Sequence, residues 1–256
     1  MTRLSALPWI FVVCLSACTT VTPLQTASTV KPEVWRVGVQ GSLTPACSVT
    51  DPTEIYGVFS GKSGAFKHCM VAPRGVPTPE LRLSARRGLT EASDLGFSVH
   101  GSTVLPVGLL VGGTVDYKRE LWSRPLGGDR RQLLSVGPEI GGAIEQLSST
   151  GTLATPPQLY ADLVLPLYFG HQFEHVELVA SPRFIERFTR IERASNGASE
   201  LLDNGYVGLS LGAFRRDPLQ FGIALDYFAP TGLLAEGTFT LTAGIAYDFP
   251  PSPPPP

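Results

Sequence analysis

Residues 236–249 alternate without a break: Gly237, Phe239, Leu241, Ala243, Ile245, Tyr247 and Phe249 fall on one face, and Glu236, Thr238, Thr240, Thr242, Gly244, Ala246 and Asp248 on the other. Successive side chains of a strand point to opposite sides, so this period of two specifies a β-strand with one apolar and one polar face. No segment after residue 24 sustains a 3.6-residue apolar period over three turns. The chain is therefore all-β.

The same alternation recurs upstream. Leu219 to Tyr227, Val207 to Ala213, Val176 to Phe184, Leu159 to Phe169, Leu134 to Ile144, Leu109 to Lys118, Leu95 to His100 and Leu81 to Arg86 each separate an apolar from a polar set. With Val34 to Leu43 as a weaker first member, there are ten candidate strands. Several exceed the five or six residues usual in soluble sheets and reach the roughly 9–11 residues of a tilted transmembrane strand. Gly and Ala are frequent on the polar faces, which suits a crowded lumen. Phe169, Tyr227, Tyr247 and Phe249 lie near strand ends, where interfacial aromatic girdles sit. The reading is an antiparallel up-and-down β-barrel of eight to ten strands over residues 33–249. A soluble barrel or sandwich, with the apolar face packed inside around a hydrophobic ligand, is the alternative.

Composition narrows the partners. Charged residues make up 16% of the chain, against roughly 25% in an average soluble domain. The net charge is −2 with no basic block, so there is no footprint for a nucleic acid.

Loop lengths suggest an orientation. Barrels of this kind have short periplasmic turns and longer external loops. Leu89–Ser93, Gly170–Phe173 and Arg216–Pro218 are short and fall at one end; 146–157 and 189–203 are long, polar and fall at the other. Two places disagree: 122–131 is too long for its end, and Thr103–Val107 too short. Residues 44–79 form the longest irregular stretch, and the Pro-rich tail 250–256 cannot continue a ladder.

The N-terminus carries a second message. Arg3 precedes an apolar stretch, Leu4 to Leu15, too short to span a bilayer but suited to a signal peptide over residues 1–17. Leu15-Ser16-Ala17-Cys18 resembles the lipobox of bacterial lipoproteins. That resemblance implies cleavage before Cys18, acylation of its thiol and, because Thr19 rather than Asp follows, residence in the outer membrane. Residues 18–32 are then a lipidated, Thr-rich linker. Cys47 and Cys69 remain in an oxidising compartment, where a disulfide between them is expected.

The final strand, Thr242 to Phe249, resembles that of bacterial outer-membrane β-barrels, which alternates and ends in an aromatic read by the insertion machinery; here seven residues follow it. The segment 86–96 with Asp116-Tyr117-Lys118 is similar to repeats of uncharacterised porin-like proteins. The implied partners are outer-membrane lipids and the lipoprotein-processing and barrel-insertion machineries.

Little points to catalysis, a metal or a cofactor. His171 and His175 flank a turn, not a helix, so they lack the geometry of a helical metal pair. Gly61-Lys62-Ser63 lacks the spacing of a phosphate loop. His100 and Ser102 share a face and are similar to the His–Ser pair of outer-membrane lipid A deacylases, which makes a lipid hydrolase the third reading. A nucleophilic Ser needs a base within hydrogen-bond reach and a third orienting group; no local motif supplies the latter, and the pair falls on the polar face. The charges on those faces form the main candidate set: Arg82, Arg86, Asp94, Asp116, Lys118, Glu139, Asp162, Glu177, Arg183, Asp226 and Asp248. Inside a barrel they are expected to pair and fill the lumen. The expected function is non-enzymatic: envelope structure, surface interaction or small-solute passage.

Overall fold

A computed structural model of the chain describes residues 24–44, 78–104, 108–147, 158–192, 199–231 and 238–250. These form one antiparallel sheet of eleven strands: β1 (Trp35–Thr44), β2 (Thr78–Thr90), β3 (Ser93–Val104), β4 (Gly108–Gly127), β5 (Arg130–Val136), β6 (Glu139–Leu147), β7 (Gln158–Gln172), β8 (Val176–Glu192), β9 (Ser199–Arg215), β10 (Leu219–Pro230) and β11 (Thr238–Phe249). β5 and β6 lie end to end between β4 and β7 as a single stave, interrupted at Gly137-Pro138. Pro138 has no N–H to give the ladder, but its carbonyl still accepts from Tyr117 N at 3.1 Å. β1 pairs with β11 from Trp35↔Phe249 to Leu43↔Leu241, closing a ten-stave barrel.

The apolar face is outside. Leu81, Leu83, Val111, Leu178, Leu209, Leu211, Phe221 and Ile223 are all exposed, while Glu80, Arg82, Glu177, Ser210 and Gln220 between or beside them are buried. A soluble barrel hides its apolar face, so the soluble alternative fails: this exterior suits lipid. On β8 the apolar run Val176–Phe184 ends near the half-buried Glu186, and on β9 Val207–Ala213 is bounded by Asp203 and Arg215.

The two misfits in loop length have different outcomes. Residues 122–131 are not a loop: β4 continues to Gly127, β5 begins at Arg130, and Gly128-Asp129 make a two-residue turn. Gly127 and Gly128 have φ of 94° and 58°, a region open to glycine without steric cost. The connection between β3 and β4 is indeed short, since it spans only 105–107. The expected long loop 189–203 is corrected too: β8 runs to Glu192 and β9 starts at Ser199, their alternation masked in sequence by polar residues on both faces. Cys18, Cys47 and Cys69 lie outside the described residues.

Candidate functional site

The lumen is where the chemistry-bearing side chains converge. Alternation fixes which face each residue shows, and barrel closure brings distant staves within ion-pair distance. Arg86 on β2 bonds both Asp94 on β3 and Asp116 on β4. Lys118 Nζ lies 3.6 Å from Asp94 Oδ2. Arg187 on β8 donates to Asp162 on β7 through Nε at 2.7 Å and Nη2 at 3.1 Å, a bidentate pair. Arg183 Nη1 is 3.9 Å from Asp226 Oδ1, and Thr242 Oγ1 donates to the other oxygen of Asp226 at 3.2 Å. Arg82 stands 3.4 Å from Glu80 and donates to Ser98. Glu139 is buried on the same inner face. Asp248 sits at the rim, its side chain 27% exposed, holding Arg36 at 2.7 Å.

Small residues make room for these groups. A Cβ on Gly96 would stand 2.3 Å from Asp116 Oδ2, and one on Gly112 would stand 2.5 Å from the His100 ring. His100 and Ser102 are buried on the inner face, and Ser102 Oγ donates to the Pro79 carbonyl at 2.8 Å. The pair therefore points away from membrane lipid.

Glu80, Arg36 and Arg187 belong to the lumen set but were not in the sequence-derived list. Arg187 shares the odd-numbered register of Glu177, Ser181 and Arg183, so extending β8 by one turn of the alternation would have found it.

The larger departure concerns residues 24–32, the described part of the expected linker. They run inside the barrel, from mid-lumen at Leu24 to the short-turn rim at Pro32. Ala27 and Val30 are fully buried, and Thr26 and Ser28 nearly so. The wall grips the backbone. Glu177 Oε1 accepts from Ala27 N at 2.6 Å and Ser28 N at 3.1 Å, while its Oε2 accepts from Ser28 Oγ at 2.8 Å. Asp94 Oδ2 accepts from Val30 N at 2.8 Å, and Gln40 Oε1 from Leu24 N at 2.8 Å. Lys118 Nζ donates to the carbonyls of Thr26 (3.0 Å) and Ser28 (2.8 Å), and Ser135 Oγ to that of Ala27 (2.6 Å). Ala27 also belongs to an apolar cluster with Leu133, Tyr168, Val179 and Phe214 inside the lumen. The chain leaves through a corner at Glu33, whose φ is 63°, and Glu33 N donates to Gly88 O at 3.1 Å.

This plug leaves little free space. The void between it and Arg36, Gln40 and Gln220 measures about 60 Å³, and another beside Ser181 and Arg183 about 10 Å³. At roughly 10–15 Å³ of such space per enclosed water, the first void has room for a few waters and the second for about one.

No protein-family model matches the chain, and no curated protein does. Among solved structures it is similar to the outer membrane protease OmpT from Escherichia coli, at 11% identity, over 88% of this chain and 100% of that one, with a TM-score of 0.42. It is similar to the β domain of the Bordetella autotransporter BrkA at 15% identity, over 85% and 100%, with a TM-score of 0.41. It is also similar to Ail, the attachment invasion locus protein of Yersinia pestis, at 9% identity, over 85% and 99%, with a TM-score of 0.32. These neighbours are outer-membrane β-barrel proteins; no residue role passes from them to this chain.

Proposed function

We propose that the chain is a non-enzymatic outer-membrane lipoprotein whose barrel is a sealed membrane body, serving envelope structure or surface interaction. The observation that carries this reading is the lumen: ion-paired side chains fill it and residues 24–32 occlude its short-turn end. A narrow barrel filled by its own side chains has no room for a standing pore. The resemblance of Leu15-Ser16-Ala17-Cys18 to a lipobox supports an acyl anchor on Cys18, and the apolar exterior supports a barrel seated among outer-membrane lipids after processing and insertion.

Two measurements test it. Mass spectrometry of the detergent-extracted protein should find an acylated N-terminus at Cys18 that Cys18→Ala abolishes. In planar bilayers the wild-type barrel should be silent. A steady open channel would refute the sealed reading, and an unmodified N-terminus would refute the lipoprotein.

Small-solute passage is the second reading, and one observation favours it. The plug is held by hydrogen bonds to ionisable wall groups, contacts that water can replace, and not by a covalent link to the wall. Passage would then require residues 24–32 to leave the lumen.

A further inference from the structure

The wall meets the plug mainly through main-chain atoms. Four backbone N–H groups (Leu24, Ala27, Ser28, Val30) and three carbonyls (Thr26, Ala27, Ser28) bond wall side chains. Every chain offers such groups, so this recognition depends on extended shape more than on sequence, as in other modes of peptide capture. The wall is also cut to the shape of a chain. A Cβ added to Gly88 would stand 1.9 Å from Lys31 O, one on Gly170 would stand 2.6 Å from Ala27 Cβ, and one on Gly222 would stand 2.6 Å from Leu24 Cδ2. Side-chain selection is tightest at two central places, Ala27, which must be small against Gly170, and Ser28, whose hydroxyl meets Glu177, with further contacts at Leu24, Gln25, Thr26 and Thr29.

Three of the wall groups that do this, Glu177, Lys118 and Asp94, are ionisable and buried: Glu177 has no exposed surface and Lys118 1%. Glu177 takes one further bond, from Gln172 Nε2 at 3.0 Å, and Lys118 touches the wall's Asp94 at 3.6 Å. Their shortest contacts are to the segment, and bonds assisted by a charge are stronger than neutral ones.

We infer that the short-turn half of the lumen is a binding site for an extended polypeptide with two small residues at its centre, and that residues 24–32 are its resident, self-blocking occupant. The inference rests on the reading that this segment closes the lumen. An incoming chain of like shape would take the same bonds to Glu177, Lys118, Asp94 and Ser135 once the resident segment is displaced.

The test uses the full-length protein in detergent and a fluorescent synthetic peptide, LQTASTVKPE, the sequence of residues 24–33. Ala27→Glu places a carboxylate against Glu177, and Val30→Asp places one against Asp94; either should evict the resident segment, read as lost protection of 24–32 in hydrogen–deuterium exchange. Fluorescence anisotropy should then show saturable peptide binding to the evicted barrels, little to wild type, and at least a tenfold loss when Glu177→Ala is added. A folded, evicted barrel that fails to bind overturns the inference, as does binding indifferent to Glu177→Ala. If both variants keep 24–32 protected, the segment is an integral part of the fold and the inference falls. Bilayer conductance of the same variants separates the two claims: a barrel that opens without binding peptide overturns this inference alone, leaving the sealed lumen intact.

Discussion

The carboxylate of Glu177 accepts a 2.6 Å hydrogen bond from the main-chain N–H of Ala27, 150 residues earlier in the chain. With two further bonds from Ser28 to the same carboxylate, it ties the N-terminal segment to the eighth strand. Glu177→Ala removes the acceptor for Ala27 N, Ser28 N and Ser28 Oγ together. At about 1.5 kcal/mol or more for each bond to a charged group, the loss should exceed about 3 kcal/mol of plug attachment. The expected result is intermittent conductance in planar bilayers where wild type is silent, with Glu177→Gln giving a smaller effect because one oxygen still accepts.

Arg86 is the hub of the inner charge set, bridging Asp94 and Asp116 across three strands. Arg86→Met leaves two buried carboxylates facing each other, and breaking a buried pair by removing one partner costs about 3–5 kcal/mol. The midpoint of thermal unfolding in detergent should fall markedly. Adding Asp116→Asn should restore part of it, because one of the uncompensated charges is then gone.

The lipid-facing band makes an opposite forecast for a residue that is conspicuously exposed. Leu211 is 53% exposed, and on a soluble surface a Leu→Arg change there would lie within about 0.5 kcal/mol of neutral. Near the middle of a bilayer the same change costs about 2–4 kcal/mol. Equilibrium unfolding in phospholipid vesicles should show that penalty for Leu211→Arg, and detergent-free solubility should not increase. A neutral result would argue against the membrane-facing assignment.

Gly88 marks where the plug leaves the barrel. The position of its missing Cβ, 1.9 Å from the backbone carbonyl of Lys31, leaves no route for relief by side-chain rotation. Gly88→Ala should therefore push residues 30–32 off the rim while the barrel itself still closes through β1 and β11. Hydrogen–deuterium exchange should rise in 24–32 and stay low in the strands. Cold and boiled samples should still run at different mobilities in SDS gels. Uniform deprotection of the whole barrel would mean that the plug and wall fold as one unit.

Most of the architecture was legible because a strand's two faces are a local property. The alternation Phe239, Leu241, Ala243, Ile245 announces β11 without reference to anything else, and its apolar–polar split assigns Arg82, Asp116 and Glu177 to the face opposite the aliphatic residues. Where polar residues occupy both faces, as at Thr189–Arg190 and Glu200–Asp203, the local signal fades and the sequence reads as loop. Hairpin extension has the same origin: only pairing of Ser123 with Leu133 and Pro125 with Arg131 reveals that 122–131 is sheet.

What sequence by itself determined, then, was the class of fold, the strand count as an upper bound of ten staves, and which side chains share a face. Which face is dry was decided by closure, because an alternating strand serves a soluble core or a lipid-facing band equally well until the sheet is wrapped. The plug was decided there as well. Thr26-Ala27-Ser28-Thr29 has no periodicity and no apolar run, and its hydrogen-bond partners include residues of β1, β4, β5 and β8. A segment of small polar residues looks like a linker in isolation because its backbone groups are satisfied as well by water as by a protein. Only the barrel, by assembling Glu177, Lys118, Asp94 and Ser135 around one axis, offers those groups a drier alternative.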